Sequence, residues 1–312
     1  MNISPTKKID FLNLAPYVRY IHEISFEDDY KIPPRVIYDH EIIFLLSGES
    51  VNTIDGVQYI QRPGDVLFVR PHLLHSAYKH GSEVLSYFAV HFDLEYMGQQ
   101  LDFSPDDVYT KVDYKHLDFI PVEEELSERP VIELSEVLFP NLIRTRDPLP
   151  YIQAFREMKA VFKEKPIGYH LFLRSQLLRI LGFLVRDVVT PDGVSKESSY
   201  QTEITQAIQY MYEHFDEEID FDRLMPKGEI TPNYFRKLFK EATGKTPLEL
   251  LTSIRLEKAK LLIQEGKYNI STISGIVGYQ DIHYFSKLFK KTEGISPKYY
   301  IDSITKPTPQ SR

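Results

Sequence analysis

The stretch NYFRKLFKEATGKTP at residues 233–247 lies over HYFSKLFKKTEGISP at residues 283–297, fifty positions further on, with eight identities in fifteen aligned residues. A duplicated segment of this length, apolar at helical spacing, signals two copies of one structural unit. On an α-helix Tyr234, Phe235, Leu238 and Phe239 fall together, as do Tyr284, Phe285, Leu288 and Phe289, which predicts a core face in each copy. The opposite face then carries Asn233, Arg236, Lys237 and Lys240 in the first copy and His283, Ser286, Lys287 and Lys290 in the second. Such hydrogen-bonding and cationic groups can reach base edges and phosphates in a major groove.

A turn precedes each copy: Glu229-Ile-Thr-Pro232 before the first and Gly278-Tyr-Gln-Asp281 before the second. In the second copy Ile270, Ile273, Ile276 and Val277 give the preceding helix an apolar stripe. Gly278 can adopt the left-handed turn conformation, and Asp281 can cap the helix that follows. This is a helix-turn-helix pattern, and Gln280 and Asp281 at its turn join the candidate DNA-contacting residues.

These residues resemble the AraC/XylS family of bacterial transcription regulators. ISTISGIVGYQDIHYFSKLFKKTEGISPKYY, residues 270–300, is similar to the family signature, and PLELLTSIRLEKAKLLIQEG, residues 247–266, to the helix that joins its two helix-turn-helix units. The resemblance implies a double helix-turn-helix over residues 201–302. Departures gather in the first copy, where Leu224-Met225-Pro226 replaces a Leu-Ala opening and Glu229 stands at the turn glycine, with Gly228 one place early. Proline there shortens or distorts a helix, so the first unit is expected to be less well ordered and the second to discriminate bases more strongly. Arg236 argues the other way, being the only Arg on either recognition face. In the second copy Ser274 stands where Ala is usual and Ile301 where the signature often ends in Arg.

The net charge of −8 hides a step along the chain. Residues 200–222 hold seven Asp and Glu, whereas residues 223–312 carry about twice as many Lys and Arg as Asp and Glu. An acidic module joined to a basic one fits nucleic-acid contact at the basic end.

Upstream, HEIIFLL, SVNTI, VQYI, DVLFV and EVLSYFAVHF between Tyr38 and Leu94 read as short strands, punctuated by Ser47-Gly48-Glu49, Asp55-Gly56, Arg62-Pro63-Gly64-Asp65 and His80-Gly81-Ser82. That rhythm predicts an antiparallel sandwich or barrel. The pattern through Gly48, Gly64, Arg70, His72, His75 and His91 resembles the cupin-type sensor barrel that many members of the family carry. Arg35, His40, His75, Tyr87 and His91 are the candidate ligand-binding residues, as polar groups able to orient an effector on an apolar wall. Cupins include metalloenzymes, but a metal-binding cupin supplies two His at alternate strand positions, and here Ile42 follows His40. No metal or other cofactor is therefore expected, and a cupin metalloenzyme with a helical appendage is the alternative reading.

Helical periodicity sets in at YIQAFREMKAVFKEK and continues through YHLFLRSQLLRILGFLVRD, residues 169–187. The second segment is apolar around much of its circumference, which predicts burial against the barrel and in a homodimer. Residues 98–149 show no clear pattern.

The expected architecture is α+β with two domains: an antiparallel β cupin-like barrel with flanking helices over 1–189, a linker over 190–200, an all-α double helix-turn-helix over 201–302 and a tail over 303–312. The chain has no cysteine, which excludes disulfide scaffolds, cysteine zinc sites and thiol nucleophiles. Its first thirty residues hold no hydrophobic run long enough for a leader or membrane span, so a cytoplasmic protein is expected, and the resemblance implies a regulator and not an enzyme. The resemblance implies as partners operator DNA, a small-molecule effector such as a carbohydrate and, for an activator, RNA polymerase, and the apolar second helix adds a second copy of the chain.

Overall fold

A computed structural model describes residues 6–105, 108, 117–120, 122–189, 200–225 and 230–305. The chain divides into two units, Met1–Gln206 and Ala207–Arg312. The division falls inside a helix that starts at Gln201, and the expected linker 190–200 lies, except for Tyr200, outside the described residues.

In the N-terminal unit, β1 (Thr6–Ile9) is followed by β2 (Tyr17–Phe26), β3 (Lys31–Arg35), β4 (His40–Ser47), β5 (Glu49–Ile54), β6 (Val57–Gln61), β7 (Asp65–Val69), β8 (His75–His80) and β9 (Leu85–Asp93). The predicted strands correspond to β4, β5, β6, β7 and β9. β2 is not apparent in the sequence because Arg19, His22 and Glu23 break the apolar alternation that marks a strand. Two further strands, β10 (Val131–Leu134) and β11 (Leu142–Arg144), come from the segment without a clear pattern.

Five strands form one antiparallel sheet in the order β11-β7-β4-β9-β2, four form a second in the order β3-β8-β5-β6, and β1 pairs in parallel with β10. β3 carries Pro33 and Pro34 at a sheet edge, where a missing N–H breaks no ladder.

Register decides which side chains meet. Ile43 of β4 stands opposite Leu67 and Ala89, whereas Phe44 stands opposite Val66 and Phe88. The Ile43 side of the sheet closes a core with Ile54 and Tyr59 of the second sheet, so the two sheets face each other. The Phe44 side is covered by α1 (Leu149–Glu164), whose Tyr151 ring stacks on Phe44 at 5.6 Å and whose Phe155 ring stacks on Phe88 at 5.4 Å. α2 (Tyr169–Val189) packs on α1, β2 and β11, burying Leu173, Leu177, Ile180, Leu181 and Leu184, and leaves Leu171, Phe172 and Leu178 exposed.

The C-terminal unit takes in the end of α3 (Gln201–Glu213) and then α4 (Pro232–Thr243), α5 (Pro247–Glu265), α6 (Ile270–Ile276), α7 (Ile282–Glu293) and α8 (Pro297–Thr305). Where the first copy's opening helix was expected, the described residues show a single 3-10 turn, Phe221–Leu224; Pro226, Gly228 and Glu229 lie outside them. Two residues assigned to the core faces sit elsewhere: Tyr234 and Tyr284 are exposed, at 44% and 57%, because each lies a quarter turn off the Phe–Leu–Phe stripe. No helix among the described residues is long and apolar enough to cross a membrane.

Candidate DNA interface and effector pocket

α6, the turn at Val277–Asp281 and α7 are held by local chemistry. Gly278 has φ +84°, and a Cβ there would lie 2.8 Å from the Asp216 carbonyl oxygen and 3.0 Å from the Arg255 guanidinium. That guanidinium donates to the carbonyls of Phe215 (2.6 Å) and Glu217 (2.7 Å) and lies over the Tyr279 ring, 4.9 Å from its centre. The hydroxyl of buried Ser274 donates to the Tyr279 carbonyl at 2.9 Å, so serine stitches the turn where alanine could not. Asp281 accepts from the backbone N–H groups of His283 (2.7 Å) and Tyr284 (3.3 Å), which hold its carboxyl below the usual range. Its carboxylate is therefore engaged as a helix cap.

Beyond that cap Gln280, His283, Lys287 and Lys290 are exposed and Ser286 is half-buried, while Phe285 and Phe289 close the core beneath with Leu256, Ala259 and Ile273. The first copy repeats the construction. Thr231 caps α4 by accepting from the Tyr234 N–H at 3.3 Å, Phe235, Leu238 and Phe239 are buried, and Asn233, Arg236, Lys237 and Lys240 are exposed. Arg236 donates to the Asn233 side-chain oxygen at 3.2 Å and to Asp222 at 3.3 Å, and Lys237 pairs with Glu241 at 3.5 Å. α5 joins the copies and starts with a capping box between Thr246 and Glu249. The eight expected contact residues of α4 and α7 thus lie on the helix faces turned away from the core.

The barrel gathers Arg35, His75 and Tyr87 on the wall of one interior cavity, together with Tyr30, Glu41, Asn52 and Gln61. Arg35 donates from Nε to His75 Nε2 at 3.0 Å and from Nη2 to Glu41 at 3.3 Å; His75 Nδ1 meets the Leu73 carbonyl at 3.2 Å. With Nε2 accepting, His75 carries its proton on Nδ1, and burial and then Arg35 bring its pKa down to about 4. His91 stands behind Glu41, with Nε2 3.3 Å from Glu41 and Nδ1 3.1 Å from Asp39. Burial disfavours its charge, but the two carboxylates prevail and raise its pKa to about 9. Burial also works against ionised Glu41, and His91 and Arg35 overcome it, holding the carboxyl well below the usual range. Tyr87 shares a 2.9 Å hydrogen bond with Tyr30.

His40 does not belong to this group. It lies on the other face of β4, stacked on Phe92 at 5.4 Å, and burial lowers its pKa to about 4. Alternation explains the difference: Glu41, Ile43 and Leu45 point into the barrel and His40 and Ile42 away from it. Glu41 was not among the expected residues, although a lone carboxylate among the apolar residues of β4 was a signal. The cavity measures about 20 Å³, room for a single water. Among the described residues no three His, Asp or Glu side chains are grouped to hold a metal ion.

Residues 17–118 match the family model of an AraC-like ligand binding domain and residues 228–303 that of a helix-turn-helix domain. The chain is similar to the raffinose operon transcriptional regulatory protein RafR of Pediococcus pentosaceus, 35% identical over 31% of this chain and 35% of that one. It is also similar to the HTH-type transcriptional regulator YisR of Bacillus subtilis, 22% identical over 85% of this chain and 86% of that one. The C-terminal domain of AraT from Geobacillus stearothermophilus, a response regulator, is 31% identical over 35% of this chain and 91% of that one, with a TM-score of 0.31. Three of the curated relatives are matched over only 41%, 30% and 35% of their own lengths. With a ligand-binding model over the barrel and a helix-turn-helix model over the duplicated helices, the chain belongs to the AraC family of transcription regulators.

Proposed function

We propose that this protein binds DNA in a sequence-specific manner and regulates transcription in response to a small molecule held in its barrel. The observation that carries the reading is the repetition of one capped recognition helix, with polar and cationic residues at matching outward positions of α4 and α7. Base edges are read by such groups and phosphates by the lysines beside them. Selection of the full chain against a randomised duplex library tests it. A discrete motif bound with steep salt dependence is the expected result, and equal affinity for all duplexes would contradict it.

The effector is an uncharged, hydrogen-bonding molecule, a sugar being in keeping with the raffinose operon regulator among the relatives. Arg35 and His91 are balanced by Glu41 and Asp39, and the Gln61 amide is taken up by the Ile43 and Asp65 carbonyls, which leaves Asn52 and the tyrosines as donors and acceptors without asking for a charged ligand. Because the cavity holds only about 20 Å³, an effector must widen it, and that change is what can shift a conformational equilibrium. Thermal shift against raffinose and smaller sugars, with phosphorylated sugars alongside, distinguishes the classes; stabilisation by the phosphorylated compounds alone would contradict the assignment. For the metalloenzyme alternative the described residues offer no ligand cluster, Arg35 and the Leu73 carbonyl engaging both nitrogens of His75 and His40 facing away.

A second copy of the chain is the further partner. Leu171, Ser175, Leu178, Gly182, Val185 and Val189 recur on α2 at alternating steps of four and three residues, the spacing of a coiled-coil seam. Leu171, Leu178 and Val189 are 69%, 38% and 60% exposed along it.

A further inference from the structure

We infer that Asp222 is a positioning residue for Arg236, holding its guanidinium as a fixed fork that reads guanine at one position of the first repeat's half-site. The inference rests on the DNA-binding reading above. Arg236 lies on the second turn of α4, on the face away from Phe235 and Phe239. An arginine in that place, left to itself, samples many rotamers, and ordering it against a base costs side-chain entropy. Here two acceptors fix it. One guanidinium nitrogen donates to Asn233 Oδ1 at 3.2 Å and the other to Asp222 Oδ1 at 3.3 Å.

The Asp222 backbone is itself placed. It sits in the 3-10 turn Phe221–Leu224, whose N-cap Asp220 accepts from the Asp222 N–H at 3.1 Å. Of the five N–H groups of a guanidinium, these two bonds use two, and three remain for the bidentate pair to guanine O6 and N7. The pair is solvent-exposed, with side chains 49% and 59% accessible, so it adds little to folding stability. A carboxylate close to a DNA-facing surface also repels phosphate. A pair that gives little stability and weakens general DNA attraction has its use in orientation.

The second repeat lacks the device. At the offset of fifty residues Asp222 corresponds to Thr272, Arg236 to Ser286 and Asn233 to His283, and Thr272 donates instead to the cap residue Asn269 at 3.1 Å. Guanine discrimination of this kind therefore belongs to the first repeat alone.

The experiment takes the full chain and the duplex motif it selects from a randomised library, and measures affinity for all four bases at each position. Arg236→Ala identifies the guanine position by abolishing its preference. Asp222→Ala is expected to lower that preference at least about five-fold, a fraction of what one bidentate contact supplies, with preferences at the second repeat's positions unchanged. Asp222→Asn keeps an acceptor oxygen in place and is expected to retain most of the preference. If Ala and Asn both tighten binding to every duplex with the guanine preference intact, Asp222 is only a repelling charge and the inference fails. A motif without guanine at any position sensitive to Arg236 also overturns it. Failure of the unaltered protein to select a motif overturns instead the function on which the inference rests, so the two failures are distinguishable. Circular dichroism of each variant shows whether the helices persist.

Discussion

Glu41 organises the barrel interior, because it binds Arg35 on one side and His91 on the other and helps to hold His91 charged, while burial and Arg35 keep His75 neutral. The consequences for pH have opposite signs. His91 has its pKa raised to about 9, so its stabilisation is complete below the ordinary histidine value of about 6.5 and is lost as pH rises through 9. His22, His40 and His75 are lowered to about 4, so their contribution is complete above 6.5 and is lost as pH falls through 4. The melting temperature of the full chain is expected to be highest near pH 6.5, and His91→Gln to flatten the alkaline limb alone. An unchanged alkaline limb in that variant would mean that His91 is not charged in the fold. Gly278 gives a second residue-scale test. Gly278→Ala meets both a left-handed φ and the Asp216 carbonyl and is expected to cost about 1–3 kcal/mol, more than Gly266→Ala, where φ is +68° but nothing stands within 4 Å. At this scale the sequence was legible where one local rule governs, as at Gly278 and the cap Asp281. It misled at His40 and was silent at Glu41, because which strand residues face inward is set by sheet pairing.

α7 and α4 show how much an element reveals before its structure is known. Their apolar stripe, cap and terminal glycine lie within fifteen residues, and both helices formed where the repeat placed them. β2 stayed hidden because its charged residues are satisfied only across the fold, Arg19 by Asp93 on β9 at 2.5 Å and by Asp102. The DNA face of α7 predicts that Lys287→Ala with Lys290→Ala weakens binding and makes the salt dependence shallower by about one counterion for each phosphate that is no longer neutralised. Unchanged slope and affinity across a salt series would remove the pair from the interface. For α2 the seam predicts that Leu178→Glu converts a dimer to a monomer in sedimentation of the full chain, since a buried, unpaired carboxylate is costly. A wild-type protein that sediments as a monomer at high concentration would contradict the dimer.

The whole molecule joins a barrel whose interior charges are balanced and whose cavity is nearly closed to a helical unit with two matching recognition faces. The charge step in the sequence falls after Asp222, inside the C-terminal unit and not at the division after Gln206, whereas the duplicated helices were readable from the fifty-residue offset. The expectation that the second repeat discriminates bases more strongly drew on Pro226 and Glu229, which lie outside the described residues, while the anchored Arg236 gives the first repeat a guanine reader of its own. Both repeats are therefore expected on DNA together. Hydroxyl-radical footprinting of the full chain on its selected duplex tests this most directly. Two protected segments centred about 34 Å apart along one face, one helical turn, are the predicted result. A single protected segment, or protection that is uniform along the duplex, would contradict a double helix-turn-helix that reads two successive stretches of major groove.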